Sequence, residues 1–169
     1  VELGFLEKNS DVLATSYYSS IEKLDQVIDR CGHENSKYGF LMRPDRCELD
    51  TLTVSQKLSF VRIAFYEEHI KDLEKYIKKS QDLGYIVSLN PIGITTLTRD
   101  TLQKILYLCN SFSLNIFSIV DTHGALRIPE FSDLLDFVRQ ELDTTINIGL
   151  HFHENLSLSQ ALLATALSK

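Results

Sequence analysis

The chain is poor in several features that would assign it to a class at once. Its three cysteines, Cys31, Cys47 and Cys109, are odd in number, widely spaced and without a Cys-x-x-Cys pair. That argues against a disulfide framework, and each is expected to be a small buried hydrophobe in a reducing compartment. No apolar run reaches the roughly 18 residues of a membrane span, and no secretory signal pattern is present. The expectation is therefore a cytoplasmic protein with no membrane partner. Basic charge is not in excess: 17 Lys and Arg stand against 23 Asp and Glu, a net charge of −6. A nucleic-acid surface needs a concentrated basic face, so nucleic acid is not an expected partner. Lys71, Lys75, Lys78 and Lys79 do gather, but Glu67, Glu68, Asp72 and Glu74 intersperse them, as on a solvated helix face. Neither Gly-x-Gly-x-x-Gly nor a phosphate-binding Gly-Lys-Ser/Thr loop occurs, which weakens a nucleotide-binding reading. The chain also lacks an initiator Met and begins inside a strand pattern. A piece of a longer protein is expected.

What remains is ordinary globular composition, 44% apolar and 24% charged, in a length sufficient for one domain with a sizeable core. Val1 to Leu6 reads as a strand. A helix is expected from about Ser16, with Ile21, Leu24, Val27, Ile28 and Cys31 on one stripe and Gly32 as its stop. Tyr38 to Arg43 is a second strand ended by Pro44-Asp45, and a weak helix is expected around Val54 to Leu58. Phe60 to Phe65 is the third strand. The helix that follows has Glu67 and Glu68 in its first turn, Ile70, Leu73, Tyr76 and Ile77 inward, and Gly84 at its end. Tyr85 to Asn90 closes at Pro91. Thr98 caps a helix burying Leu102, Ile105, Leu106 and Cys109. Ile116 to Asp121 is the fifth strand, and Pro129 suits the first turn of a helix carrying Phe131, Leu134, Leu135 and Val138. A sixth strand begins near Ile146, and Ser157-Leu-Ser-Gln160 has capping-box spacing before a last helix to about Leu167.

Six strands alternating with helices imply βα units and a parallel sheet. A doubly wound sheet and a (β/α) barrel both fit the alternation. A doubly wound sheet, covered on both faces, tends to be apolar on both. Here one face carries Glu2, Gly4, Arg62, Ala64, Ser88, Asn90, Asn147, Gly149, His151 and His153. Such a face suits a crowded barrel interior with a site at its C-terminal mouth. The expected fold is thus α/β, a TIM barrel represented by about six of its eight units across residues 1–169. Six strands cannot close at eight-strand geometry. The edge strands are therefore expected to meet further sequence or another chain, as a homo-oligomer or with a partner subunit.

The stretch Asn147-Ile-Gly-Leu-His151-Phe-His153-Glu-Asn155 carries the most chemical information. Two imidazoles at i and i+2 of a strand point the same way, with Cα atoms roughly 7 Å apart. Both rings can then converge on one divalent ion at about 2.1 Å. A buried hydrogen-bonded pair is the alternative, and two ligands alone do not complete a site. Asp121, at the end of a strand, could order a site, bind substrate or simply form a turn. Asn90 could touch substrate or serve the turn before Pro91. His123 reads as a loop histidine, Asn155 as a turn former, and Arg62 with Glu2 as a structural ion pair.

Phe117-Ser-Ile-Val-Asp121-Thr122-His-Gly124-Ala-Leu126 resembles the sixth strand of the metal-dependent aldolase and acyl-CoA lyase barrels related to hydroxymethylglutaryl-CoA lyase, which ends in Asp-Ser/Thr-x-Gly. His151-Phe-His153-Glu-Asn155 resembles their seventh strand, His-x-His followed by an Asn-rich turn. Within the group the likeness is greatest to the 4-hydroxy-2-oxovalerate aldolases. The chain would then run from family strand two to helix seven, as a partial catalytic domain lacking the first and last strands. The resemblance implies that His151 and His153 are metal ligands for Mn²⁺ or Mg²⁺, and that Asp121, Thr122 and Asn90 lie near substrate. It also implies that the third protein ligand and the catalytic residues belong to the first strand, whose motif is not in this sequence. The implied reaction is cleavage of a 4-hydroxy-2-oxo acid, a small 2-oxo acid substrate, through a metal-stabilised pyruvate enolate. Acyl-CoA cleavage or condensation on the same site, or a barrel that has lost catalysis and serves as a scaffold, are the alternatives. These residues by themselves are expected to be inactive.

Overall fold

The computed structural model describes residues 1–8, 16–31 and 35–169, residue 31 by its backbone alone. Two compact units divide the chain, Val1–Leu89 and Asn90–Lys169. The first contains β1 (Glu2–Leu6), β2 (Tyr17–Tyr18), α1 (Ile21–Cys31), β3 (Tyr38–Met42), β4 (Leu58–Phe65) and α2 (Leu73–Asp82), and ends within β5 (Ile86–Pro91). The second follows with α3 (Arg99–Ser111), β6 (Ile116–Asp121), α4 (Ile128–Glu141), β7 (Asn147–Phe152) and α5 (Ser159–Ser168). Strand–helix alternation makes this an α/β fold with the architecture of a partial (β/α) barrel, as expected.

In the first unit the strand order is β2-β1-β3-β4-β5. β1 pairs in parallel with both β2 and β3, and β3 pairs in parallel with β4. All five residues of β3 are buried, as befits a parallel strand covered on both faces. Leu24, Phe40, Met42, Val61, Ile63, Ile77 and Val87 have no exposed surface. Each fully buried aliphatic or aromatic side chain contributes about 1.5–3 kcal/mol relative to leaving it in water. The Tyr85 ring meets Phe40 edge-on at 5.5 Å, and its hydroxyl donates to Thr53 O at 2.7 Å. Arg62 Nη1 lies 2.9 Å from Glu2 Oε2, the structural ion pair expected from their shared face.

In the second unit β6 and β7 pair in parallel over six residues each, from Ile116↔Asn147 to Asp121↔Phe152. Thr98 caps α3 as its sequence predicts, Oγ1 accepting from Thr101 N at 3.1 Å. Leu102, Ile105, Leu106 and Cys109 are buried beneath it. Asn110 joins the ends of two helices: its Nδ2 donates to Glu141 O and its Oδ1 accepts from Asp143 N, both at 2.8 Å. Phe131, Leu135 and Val138 of α4 are buried, and Phe131 meets Phe152 of β7 edge-on at 5.2 Å.

Four local expectations are corrected. Helix α1 starts at Ile21, not Ser16, because Tyr17–Tyr18 form a short strand on β1. Phe5 N donates to Ser16 O at 2.8 Å, and the Phe5 and Tyr17 rings stack at 5.1 Å. The expected helix stop, Gly32, lies outside the described residues. No helix spans Val54 to Leu58: Leu49–Thr51 form a single 3₁₀ turn, Leu52 is buried, Val54 is exposed, and Leu58 already opens β4. The segment Glu67–Asp72 is 3₁₀, so Glu67 and Glu68 precede α2 instead of forming its first turn. Ser157 does not cap α5. It sits at φ 54° with its amide donating to Glu154 O at 3.0 Å, and an N-cap residue must be extended.

Candidate active site

The sequence-predicted residues converge at the C-terminal ends of β5, β6 and β7, all within the second unit. Asn90 is near the end of β5 and 2% exposed. Asp121 is the last residue of β6, His151 lies one residue before the end of β7, and His153 one residue beyond it. Register fixes which way each points. Val120 is opposite His151 and Asp121 is opposite Phe152. His151 therefore shares a face with Ser118 and Val120, whereas Asp121 falls on the helix-covered face with Phe152. Gly149 makes the first of these faces possible: a Cβ there would stand 2.6 Å from Ser118 Oγ.

The imidazoles of His151 and His153 lie with ring centroids 4.9 Å apart, inclined at 58°. Their relation to the preceding loop is specific. His153 Nδ1 is 2.8 Å from the backbone carbonyl of Asp121. A carbonyl only accepts, so Nδ1 carries the proton and the lone pair of the neutral ring is on Nε2. A ring held this way is oriented as metal-ligating histidines are, with its second nitrogen tied to a backbone oxygen.

The Asp121-Thr122-His123-Gly124 loop is built around that contact. Asp121, 1% exposed, accepts from Ala125 N at 3.0 Å through Oδ1 and from Leu126 N at 3.1 Å through Oδ2. Its carboxylate closes the loop and its carbonyl orients His153. Thr122 Oγ1 accepts from Gly93 N at 2.8 Å, linking the loops after β5 and β6. Gly124, at φ 56°, lets the loop touch the end of β7. A Cβ there would stand 2.8 Å from both His153 O and Asn155 Cβ. Sequence reasoning recognised this glycine as part of a motif without seeing what it touches, and Gly93 was not singled out. His123 is exposed, as a loop residue should be.

The pair supplies two imidazole donors of the kind a divalent transition ion accepts. Among the described residues no group of three His, Cys, Asp or Glu is placed to hold a metal ion. The residues present thus fit part of a coordination sphere. A groove of about 610 Å³ lies on the other face of β7, lined by Leu150, Phe152, Leu163, Ala164 and Leu167 among others. Its lining is mostly apolar, with Ser159 and Gln160 as the polar members, and the histidines are not part of it. Among the described residues no helix is long and apolar enough to cross a membrane.

No protein-family model matches the chain. Two curated proteins are similar in sequence. The 4-hydroxy-2-oxovalerate aldolase 3 of Rhodococcus jostii (strain RHA1) is 28% identical over 134 residues, 76% of this chain and 38% of that protein. The 4-hydroxy-2-oxovalerate aldolase of Geobacillus thermodenitrificans (strain NG80-2) is 24% identical over 155 residues, 88% of this chain and 43% of that protein. The chain spans about two-fifths of the length of these relatives. Among solved structures, the N-terminal domain of a Bacteroides vulgatus protein named as a candidate aldolase superposes with a TM-score of 0.75 at 19% identity. That match covers 99% of this chain and 56% of the other. The carboxyl transferase domain of Rhizobium etli pyruvate carboxylase, solved with pyruvate and biocytin, gives 0.62 at 12% identity, covering 87% of this chain and 28% of the other. The His-x-His strand and the Asp-Thr-x-Gly loop pack against one another in a chain that is similar in sequence to two 4-hydroxy-2-oxovalerate aldolases and in fold to the N-terminal domain of a candidate aldolase.

Proposed function

We propose that these residues form the histidine side of the active site of a divalent-metal-dependent aldolase, a carbon–carbon lyase acting on a 4-hydroxy-2-oxo acid. The observation that carries this reading is the bond from His153 Nδ1 to Asp121 O, which leaves Nε2 as a donor beside His151. His151 and His153 would hold the ion, Mn²⁺ or Mg²⁺ by family likeness. When bound, such an ion supplies Lewis acidity toward the oxygens of a 2-oxo acid. The protein's own contribution is positional. Asp121 fixes the tautomer and tilt of His153 through its carbonyl, and holds its own loop through its carboxylate. Thr122, whose oxygen is anchored by Gly93 N–H, keeps its hydroxyl at the mouth. Asn90 presents a buried amide from the neighbouring strand. A general base for the substrate hydroxyl proton belongs to this chemistry, and none of these residues takes that role.

The test is metal binding read without reference to turnover. Co²⁺ titration of the protein should give ligand-field absorption typical of imidazole coordination, and the His151→Ala/His153→Ala double variant should lose it. Equal spectra and equal metal content in the two proteins would sink the assignment. Release of pyruvate from 4-hydroxy-2-oxovalerate by the metal-loaded protein tests the substrate separately.

A further inference from the structure

Outside the histidine site, the first unit carries a second cluster of charged and aromatic groups at the C-terminal ends of its strands. Glu7 follows β1, Arg43 follows β3, and Tyr66 follows β4 with His69 in the 3₁₀ segment behind it. Parallel α/β sheets bind ligands at this end of their strands. Arg43 is the centre. Its Nε is 3.0 Å from Asp45 Oδ1 and its Nη2 is 2.5 Å from Asp45 Oδ2, a two-pronged carboxylate bond, and its guanidinium lies 4.9 Å over the Tyr66 ring. The side chain is only 14% exposed.

The turn that presents Arg43 is fixed. Arg46 N and Cys47 N both donate to Arg43 O, at 3.0 and 2.9 Å. From α2, the Tyr76 hydroxyl lies 2.7 Å from Cys47 O and 3.2 Å from Pro44 O. Arg43 is thus pre-organised by backbone, by aromatic stacking and by a buried hydroxyl. The group filling its fork is different in kind. Asp45 is two residues away and 26% exposed, a carboxylate at the surface that could swing out without breaking the turn's backbone bonds.

A second observation concerns the neighbour of Tyr66 in the same cluster. His69 Nδ1 is buried with no hydrogen-bond partner. The His69 ring centroid is 6.4 Å from that of Tyr66. Buried polar atoms in native folds are rarely left without a hydrogen-bond partner, so Nδ1 is open to one from outside the chain. The surrounding charge is balanced while Asp45 is in place: Arg46 Nη1 lies 3.4 Å from Glu7 Oε2, and Lys75 pairs with Asp72 at 2.7 Å. Displacing Asp45 opens the Arg43 fork on the face of Tyr66, the ring that His69 also neighbours.

We propose that Arg43, Tyr66 and His69 form a binding site for an oxyanion head group, carboxylate or phosphate, with Asp45 as the internal carboxylate that such a ligand displaces from the Arg43 fork. Two ligand oxygens take the Nε and Nη2 positions, the geometry in which arginine recognises both groups. His69 Nδ1 gains the partner it lacks. The site lies in the first unit and does not depend on the aldolase reading.

The experiment is a titration of the ¹⁵N-labelled protein with inorganic phosphate and, separately, with acetate, each against chloride at matched ionic strength. The signals read are Arg43 Nε–H and the ring nitrogens of His69. Both should shift together and saturate with at least one anion, and which anion does so identifies the head group. Arg43→Gln should abolish the shift at His69. Asp45→Asn, with its fold checked by circular dichroism, should bind roughly three- to tenfold more tightly, because the internal competitor is gone. A turn-stabilising Asp45 with no ligand role predicts no such gain. The proposal is overturned by a wild-type titration that does not saturate with either anion, by shifts that persist in Arg43→Gln, or by a folded Asp45→Asn protein that binds no more tightly.

Discussion

Gly124 sets how closely the loop after β6 can approach the end of β7, and the geometry leaves no room for a side chain. Gly124→Ala places a methyl group 2.8 Å from His153 O at φ 56°, which should cost roughly 1–3 kcal/mol in urea unfolding. The same variant should blur the Nδ1–H tautomer of His153 in ¹⁵N spectra. Asp121→Asn keeps one acceptor but turns an NH₂ toward one of the two amides it now bonds. A loss of roughly 1–3 kcal/mol is expected, and a neutral substitution would show that the loop closes without the carboxylate. Asp45 supplies a pH signature. The Arg43 fork, through its hydrogen bonds and charge, outweighs partial burial and holds the Asp45 carboxyl below its ordinary value. A carboxyl whose folded pKa is depressed stabilises the fold above its unfolded pKa and loses that contribution as pH falls through the folded one. The stability gap between the native protein and Asp45→Asn should therefore be widest at neutral pH and close as the pH falls through and below the ordinary carboxylate range. A gap that stays constant over that range would contradict it. At this scale the histidine pair and its neighbouring loop were legible in the letters. The direction of Asp121 was not, because the last residue of a strand takes its face from the register, which only the paired partner Phe152 reveals.

Helices and strands were readable where a local signal had no competitor. Thr98 is followed by a periodic apolar stripe, and Thr98→Ala should destabilise α3 by about 1 kcal/mol, measured as a lower melting temperature. Ser157 presents equally good letters, yet the turn closed on Glu154 puts it in the left-handed region. The cap is lost to a tertiary choice. Tyr17–Tyr18 shows the same competition. Residues that fit the start of an amphipathic helix are taken instead by the edge of β1, where the ring of Tyr17 has Phe5 to stack upon. The 3₁₀ segment before α2 has no signature in the sequence that we can identify. Asn110 gives the clearest element-scale test. Its side chain bonds both Glu141 O and Asp143 N, so Asn110→Ala should loosen the end of α4 and speed amide exchange at Leu142 and Asp143 relative to the rest of the helix.

For the molecule as a whole, the βα alternation was legible because helices α1 to α4 carry their own apolar stripes and most strands their own punctuation. The pairing of particular strands was not, since it depends on contacts far apart in the chain. Each of the two compact units contains one described buried thiol, Cys47 in the first and Cys109 in the second. Burial pushes both up to about 12. At pH 8 their thiolate fraction is roughly a thousandfold below that of an ordinary cysteine. In a Cys31→Ser background a disulfide reagent should therefore label either thiol only as its unit opens, and prompt labelling of either would contradict the burial described. Helix α5 has a consequence of another kind. From Ser159 to Ser168 it carries no ionisable side chain, while Leu163 is 46% and Leu167 80% exposed. The charge that gives the chain its −6 resides elsewhere, and this helix presents an uncharged, largely apolar flank. Such a molecule should be retained on a phenyl resin at modest ammonium sulfate, and Leu167→Lys alone should bring it off the column early.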